Sequence, residues 1–186
     1  KNILVTFHPV TLEHDSSKKQ FTNLLKVIGV LENTNIIFTK ANSDTNGRII
    51  NDLIDEYVGL NSRKSVVFAS LGQLRYLSAL QFVDAMVGNS SSGLLEAPSF
   101  KIATIDIGDR QKGRIKANSV IECDTTKEQI SSAFKKLYTP NFQKVLKNTK
   151  NPYGNGGASH QVKEVIKNVD LNKILKKEFY DLKELS

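Results

Sequence analysis

Three serines stand between two glycines in Gly88-Asn89-Ser90-Ser91-Ser92-Gly93-Leu94-Leu95-Glu96-Ala97-Pro98, with a lone glutamate three residues after the second glycine. Small residues let an anion come close to the backbone, and serine hydroxyls add donors. The first turn of a helix leaves N–H groups unpaired and carries positive potential, so this composition at a helix start can hold a phosphate. The stretch matches neither G-x-G-x-x-G nor the P-loop pattern. Ser91 or Ser92 can equally serve as a plain helix N-cap, and both uses are open at this point. Glu96 would lie one turn into the helix. A carboxylate there can cap the helix, or it can accept hydrogen bonds from two adjacent sugar hydroxyls; a glutamate on its own favours capping.

Two further segments carry candidate chemistry. In "IGDRQKGR" (107–114), Arg110, Lys112 and Arg114 can oppose phosphate charge, and a guanidinium fork suits bidentate contact. A solvated basic loop has the same composition. In "TFHPVT" (6–11), His8 precedes a proline that enforces an extended turn. A histidine so placed can donate to a phosphate, relay a proton, or simply bond a nearby backbone group. His14 and His160 lie in polar segments and read as surface residues, and no histidines or cysteines show metal-ligand spacing.

These segments need elements to position them. Short β-rich runs alternate with helical patterns. Strands are predicted at 2–7, 35–39, 65–69, 84–88, 102–107 and 119–123. Helices are predicted at 16–31, 44–59 (with Asp44 as N-cap), 72–82, from 93 to 99, and at 126–137, 140–148 and 159–168. Alternation at this spacing predicts an α/β fold, a Rossmann-like parallel sheet with helices on both faces. Ligands of such sheets bind where the loops gather at the carboxyl ends of the strands. That rule selects His8-Pro9, Ser70-Leu71-Gly72, Gly88–Gly93 and Gly108–Arg114. "NPYGNGGAS" (151–159) reads as a loop, and the residues from Val169 as an amphipathic, lysine-rich helical tail following a domain of residues 1–168.

Composition narrows the classes further. The chain has 186 residues, 39% hydrophobic and 24% charged, values ordinary for one globular domain. No apolar run approaches the roughly 20 residues of a membrane span. The opening residues lack a leader pattern, and the one cysteine, Cys123, precludes an internal disulfide; a cytoplasmic location is expected. The net charge of +7 could suit nucleic acid, but the lysines are dispersed and no nucleic-acid motif is present, so solvated helix faces and a small anionic ligand are favoured.

Taken in order, "VTFHPVT", "VGNSSSGLLEAPSFKIATIDIGDRQKGR" and "NPYGNGGAS" resemble the UDP-N-acetylglucosamine 2-epimerases of the hydrolysing type. The likeness runs from about residue 2 to 168 and is most specific over 87–114. It implies one half of a glycosyltransferase-B-type architecture of two Rossmann-like domains, here the second, UDP-binding one, with the acid/base carboxylates in the first. It further implies UDP and a UDP-sugar as ligands, no cofactor, no metal, and a homo-oligomer for the full-length protein. Site residues carried over are His8 at the cleft, assisting departure of UDP; Ser90 and Ser91 on the diphosphate, with Asn89 beside them; Glu96 on the ribose hydroxyls; Arg110 at the nucleotide; Ser70 and Leu71 at the uracil; and Gly154 to Gly157 as a nearby glycine loop. The implied reaction eliminates UDP across C1–C2 and then adds water, giving N-acetylmannosamine or a related 2-acetamido sugar. A non-hydrolysing epimerase usually has glycines where Ser91 and Ser92 stand, and a glycosyltransferase domain fits the two central motifs less well.

Overall fold

A computed structural model describes residues 1–10, 16–42 and 45–172. His14, the proposed N-cap Asp44 and the tail from residue 173 lie outside them. The chain divides into two compact units, Lys1–Tyr153 and Gly154–Ser186.

The first unit holds six parallel strands: β1 (Asn2–Thr6), β2 (Asn35–Thr39), β3 (Ser65–Phe68), β4 (Ala85–Gly88), β5 (Ala103–Ile107) and β6 (Val120–Cys123). Helices α1 (Ser16–Gly29), α2 (Thr45–Leu60), α3 (Gly72–Leu80), α4 (Ser92–Leu95), α5 (Lys127–Leu137) and α6 (Pro140–Lys147) connect or follow them. Strand order is β3-β2-β1-β4-β5-β6, the doubly wound order in which connections run outward in both directions from β1 and β4. The expected α/β architecture is therefore present.

Alternation along the strands explains why both faces need helices. Ile3, Val5 and Phe7 join Phe21, Leu24 and Ile28 of α1 and Phe134 and Leu137 of α5 in one core. The intervening Leu4 points the other way, into a smaller core with Leu80, Val83 and Ala97. All five β5 residues are buried, as a strand covered on both faces requires. Each fully buried aliphatic or aromatic side chain contributes about 1.5–3 kcal/mol.

Register puts Thr6 of β1 beside Thr39 of β2 and Gly88 of β4, and Gly88 beside Asp106 of β5. The loops following these strands consequently leave the sheet side by side. Two glycines make this close approach possible. Gly88 has φ 138°, and a Cβ there would lie 2.0 Å from the Thr6 carbonyl oxygen. Gly93 sits against Thr104 of β5, whose Cγ2 would be 2.5 Å from an added Cβ; the Thr104 hydroxyl donates to the Gly93 carbonyl at 2.7 Å.

The helix expected from 93 to 99 is instead the single turn α4, followed by a 3-10 turn over Ala97–Phe100. Pro98 has no N–H to continue the α-helical ladder, and Lys101 ends the turn in the left-handed region at φ 55°. The second unit contains α7 (Ala158–Asn168), started by Gly157 at φ 82° and exposing Val162, Val165 and Ile166. Among the described residues no helix is long and apolar enough to cross a membrane.

Candidate functional site

The site lies at the switch point between β1 and β4, where a doubly wound sheet opens a crevice. Asn89 is its centre and is 1% exposed. Its side-chain oxygen accepts from the His8 backbone N–H at 2.7 Å, and its amide nitrogen donates to the His8 carbonyl at 2.8 Å. This reciprocal pair joins the loop after β1 to the loop after β4. The Asn89 backbone N–H donates to the Thr6 carbonyl at 3.3 Å, continuing the strand pairing one step further. The loop after β5 closes on the same residue. Arg110 Nη1 and Gln111 Nε2 both donate to the Asn89 carbonyl, at 3.0 and 2.7 Å.

The serine turn follows directly. Ser91 occupies the N-cap of α4 without a side-chain cap hydrogen bond. Ser90 comes nearest to capping, its Oγ accepting from the Ser92 N–H at 3.4 Å. Ser92 does not cap: it is already helical, and its hydroxyl accepts from Tyr76 Oη at 2.5 Å. A one-turn helix has little macrodipole, so the turn's attraction for an anion rests on its N–H groups and hydroxyls.

Beside the turn lies a cleft of about 480 Å3, lined by Thr39 at the end of β2 with Lys40 and Asn42 beyond it, by Ala69 to Leu71 after β3, by Gly72, Gln73, Tyr76 and Leu77 of α3, and by Glu96. The expected nucleobase residues Ser70 and Leu71 thus share one cavity with the expected ribose residue Glu96. Glu96 makes no side-chain cap hydrogen bond, so the capping role is not taken up. Its Oε2 is buried without a hydrogen-bond partner. Burial, offset by the Ser92 hydrogen bond and aided by the Glu96 charge, pushes Tyr76 up to about 12, so its hydroxyl remains a donor throughout the neutral range. Two pins from α2 hold the outer wall: Lys40 Nζ meets Asp55 at 2.6 Å, and Asn51 accepts from the Ala41 N–H at 2.8 Å.

The far end of the 108–118 loop is anchored by Lys116, which pairs with buried Asp106 at 2.9 Å and with Glu122. Burial raises the Asp106 carboxyl despite this pairing. Lys112 and Arg114 are exposed on the loop. Tyr153 Oη donates to the Ile115 carbonyl at 2.9 Å, bracing the same loop. His160 is exposed, as expected, and belongs with Gly154 to Gly157 in the second unit.

Cys123 ends β6 near this loop. Burial, followed by the charges of Asp106 and Asp124, pushes its thiol up to about 12. The thiolate is the reactive form. Cys123 is therefore expected to resist iodoacetamide at pH 8 in the folded protein and to react at the ordinary rate in guanidinium. Equal rates in the two conditions would contradict this burial. No group of three or more His, Cys, Asp or Glu side chains is arranged to hold a metal ion among the described residues.

The selected loops after β1, β4 and β5 do meet, at Asn89, but the sequence gives no signal for Gln111 or Tyr76. Gln111 hides in a run of charged residues, where nothing marks a buried amide. Tyr76 lies in helical register with the core residue Leu80, which reads as ordinary packing.

Comparison with known proteins completes the description. The UDP-N-acetylglucosamine 2-epimerase family model matches residues 1–167. A Campylobacter jejuni protein named GDP/UDP-N,N'-diacetylbacillosamine 2-epimerase (hydrolyzing) is 45% identical over 180 residues, covering 96% of this chain and 46% of the relative. The polysialic acid biosynthesis protein P7 of Escherichia coli is 36% identical over 186 residues, covering 97% and 46%. The UDP co-structure of S. aureus MnaA superimposes with a TM-score of 0.71 at 19% identity, covering 96% of this chain and 47% of that one. The chain thus spans slightly less than half the length of the relatives it matches.

Proposed function

The chain belongs to the UDP-N-acetylglucosamine 2-epimerase family, and from that premise we propose that it is the UDP-binding half of a hydrolysing UDP-sugar 2-epimerase. The observation that carries this reading is the convergence at the β1/β4 switch point: three loops tied together at Asn89, and a neighbouring cleft, linked to the serine turn by the Tyr76–Ser92 hydrogen bond, that contains both Glu96 and the Ser70–Leu71 segment. In this reading Ser90 and Ser91 hold the diphosphate, Arg110 opposes its charge, Glu96 takes the ribose hydroxyls, and Ser70 and Leu71 face the base. One Arg110 nitrogen is committed to Asn89, which leaves further N–H donors of the fork for an anion.

The reaction proceeds by loss of the C2 proton to a base and cleavage of the C1–O bond, with the electron pair leaving on UDP. Water then adds, hydroxyl to C1 and proton to C2, so the free sugar emerges epimerised. Charge grows on the diphosphate as the bond breaks, and donors placed on it stabilise that transition state. His8, at the same crevice, assists the departure. The base is assigned to a domain outside these residues. The C. jejuni relative, named for a diacetamido sugar, favours a substrate of that class, with N-acetylmannosamine as the product if the substrate is UDP-N-acetylglucosamine.

Calorimetric titration of UDP into the full-length protein tests the reading, with saturable binding expected and weaker binding of unrelated nucleotides. Ser90→Ala and Arg110→Ala should each weaken it by about 1–3 kcal/mol, because each removes a hydrogen bond to a charged group. Unchanged affinity in both would remove the cradle assignment. Release of free sugar and UDP, rather than an epimerised UDP-sugar, identifies the hydrolysing reaction.

A further inference from the structure

Gln111 is 1% exposed, yet only half of its amide is used. Its Nε2 donates to the Asn89 carbonyl at 2.7 Å, while its Oε1 is buried without a hydrogen-bond partner. Burying an unmet amide oxygen is unfavourable, so an apolar side chain of the same volume would serve packing better. What the amide supplies is a neutral donor in a buried place, aimed at one backbone carbonyl. That carbonyl belongs to the residue whose side chain grips both backbone groups of His8 and whose successor is Ser90. The amide orientation is fixed by the contact, since exchanging its oxygen and nitrogen would set two acceptors against each other.

We propose that Gln111 is a positioning residue for the diphosphate cradle: its amide holds the Asn89 peptide, and through Asn89 it sets both the serine turn and the His8 loop. Arg110 shares the acceptor but is exposed, and it is the residue drawn toward ligand charge under the proposed function, on which this inference rests. Gln111 holds the peptide in place whether or not Arg110 is engaged with a ligand. The loop after β5 is thereby coupled to the loop after β1 through Asn89.

The test compares the full-length wild type with Gln111→Met, similar in length but without a donor, and Gln111→Glu. The His8 backbone amide resonance, read by 15N–1H NMR without ligand, should shift in Gln111→Met although the substitution lies in another loop. UDP affinity should fall about tenfold. In Gln111→Glu the ionised carboxylate repels the Asn89 carbonyl and draws Arg110 away. A carboxyl here titrates higher through burial and the facing Asn89 carbonyl, with the Arg110 charge offsetting part of that rise. Its protonated form restores the donor, so the ratio of variant to wild-type affinity should recover between pH 8 and pH 5.5, while that of Gln111→Met stays constant; taking ratios removes the titration of His8 and of UDP itself. A packing role would leave the His8 resonance in place and both ratios independent of pH, and either result overturns the proposal. Wild-type protein that fails to bind UDP overturns the proposed function instead, and the His8 resonance still decides the coupling.

Discussion

Gly88→Ala is expected to destabilise the fold by more than about 4 kcal/mol, the range reserved for changes the structure cannot absorb. The added Cβ would lie 2.0 Å from the Thr6 carbonyl oxygen and 2.8 Å from its carbon, and φ at this position is 138°. Both atoms belong to the backbone of a central strand, so no rotamer change relieves the clash. The Thr6–Gly88 pairing and the Asn89 N–H contact to Thr6 would open together. Chemical denaturation reads the effect, with Gly59→Ala as the control. Gly59 lies in α2 with nothing within 4 Å of an added Cβ, and alanine there should be neutral or stabilising by up to about 1 kcal/mol. A Gly88→Ala midpoint close to wild type would show that the β1–β4 approach is looser than described.

Glu96→Ala should move affinity and stability in opposite directions. A carboxylate accepting from two ribose hydroxyls contributes about 1.5–3 kcal/mol per hydrogen bond to a charged group. Losing them should weaken UDP binding by at least about a hundredfold, at 1.4 kcal/mol per decade. The unliganded protein, however, keeps Glu96 Oε2 buried and unpartnered. Removing it relieves that cost, so the melting temperature should hold or rise, equivalent to about 1 kcal/mol. A helix-capping glutamate would give the reverse: a lower melting temperature and unchanged UDP affinity. That outcome would return Glu96 to the bland role that its sequence position alone favours.

Much of this was legible from residue order. The β-rich runs and 3.6-period patterns place the strands and the longer helices of the first unit within a few residues, because the central strands β1, β4 and β5 are buried on both faces and each longer helix has one apolar side. Gly88 to Gly93 after a strand marks the crevice for the same reason. The failures are instructive. The length of α4 depends on Pro98 breaking the ladder, a local effect hidden by an otherwise helical stretch. Nothing in the sequence marks the Asn89 side chain as the one that meets both backbone groups of His8. Gln111 gave no signal, since a single buried amide has no periodicity and its partner is a backbone atom twenty-two residues away in sequence. Periodicity reports the face an element buries, and it is silent on which polar group meets which carbonyl.

The two pins on the loop after β2 have an evolutionary consequence. Lys40 and Ala41 are held by Asp55 and Asn51 of α2, not by the Asn89 hub. Substitution can therefore remodel that wall of the cleft while the Asn89 hub stays untouched. Wall and hub are thus separable by inheritance, because one hangs from α2 and the other from the loops after β1, β4 and β5.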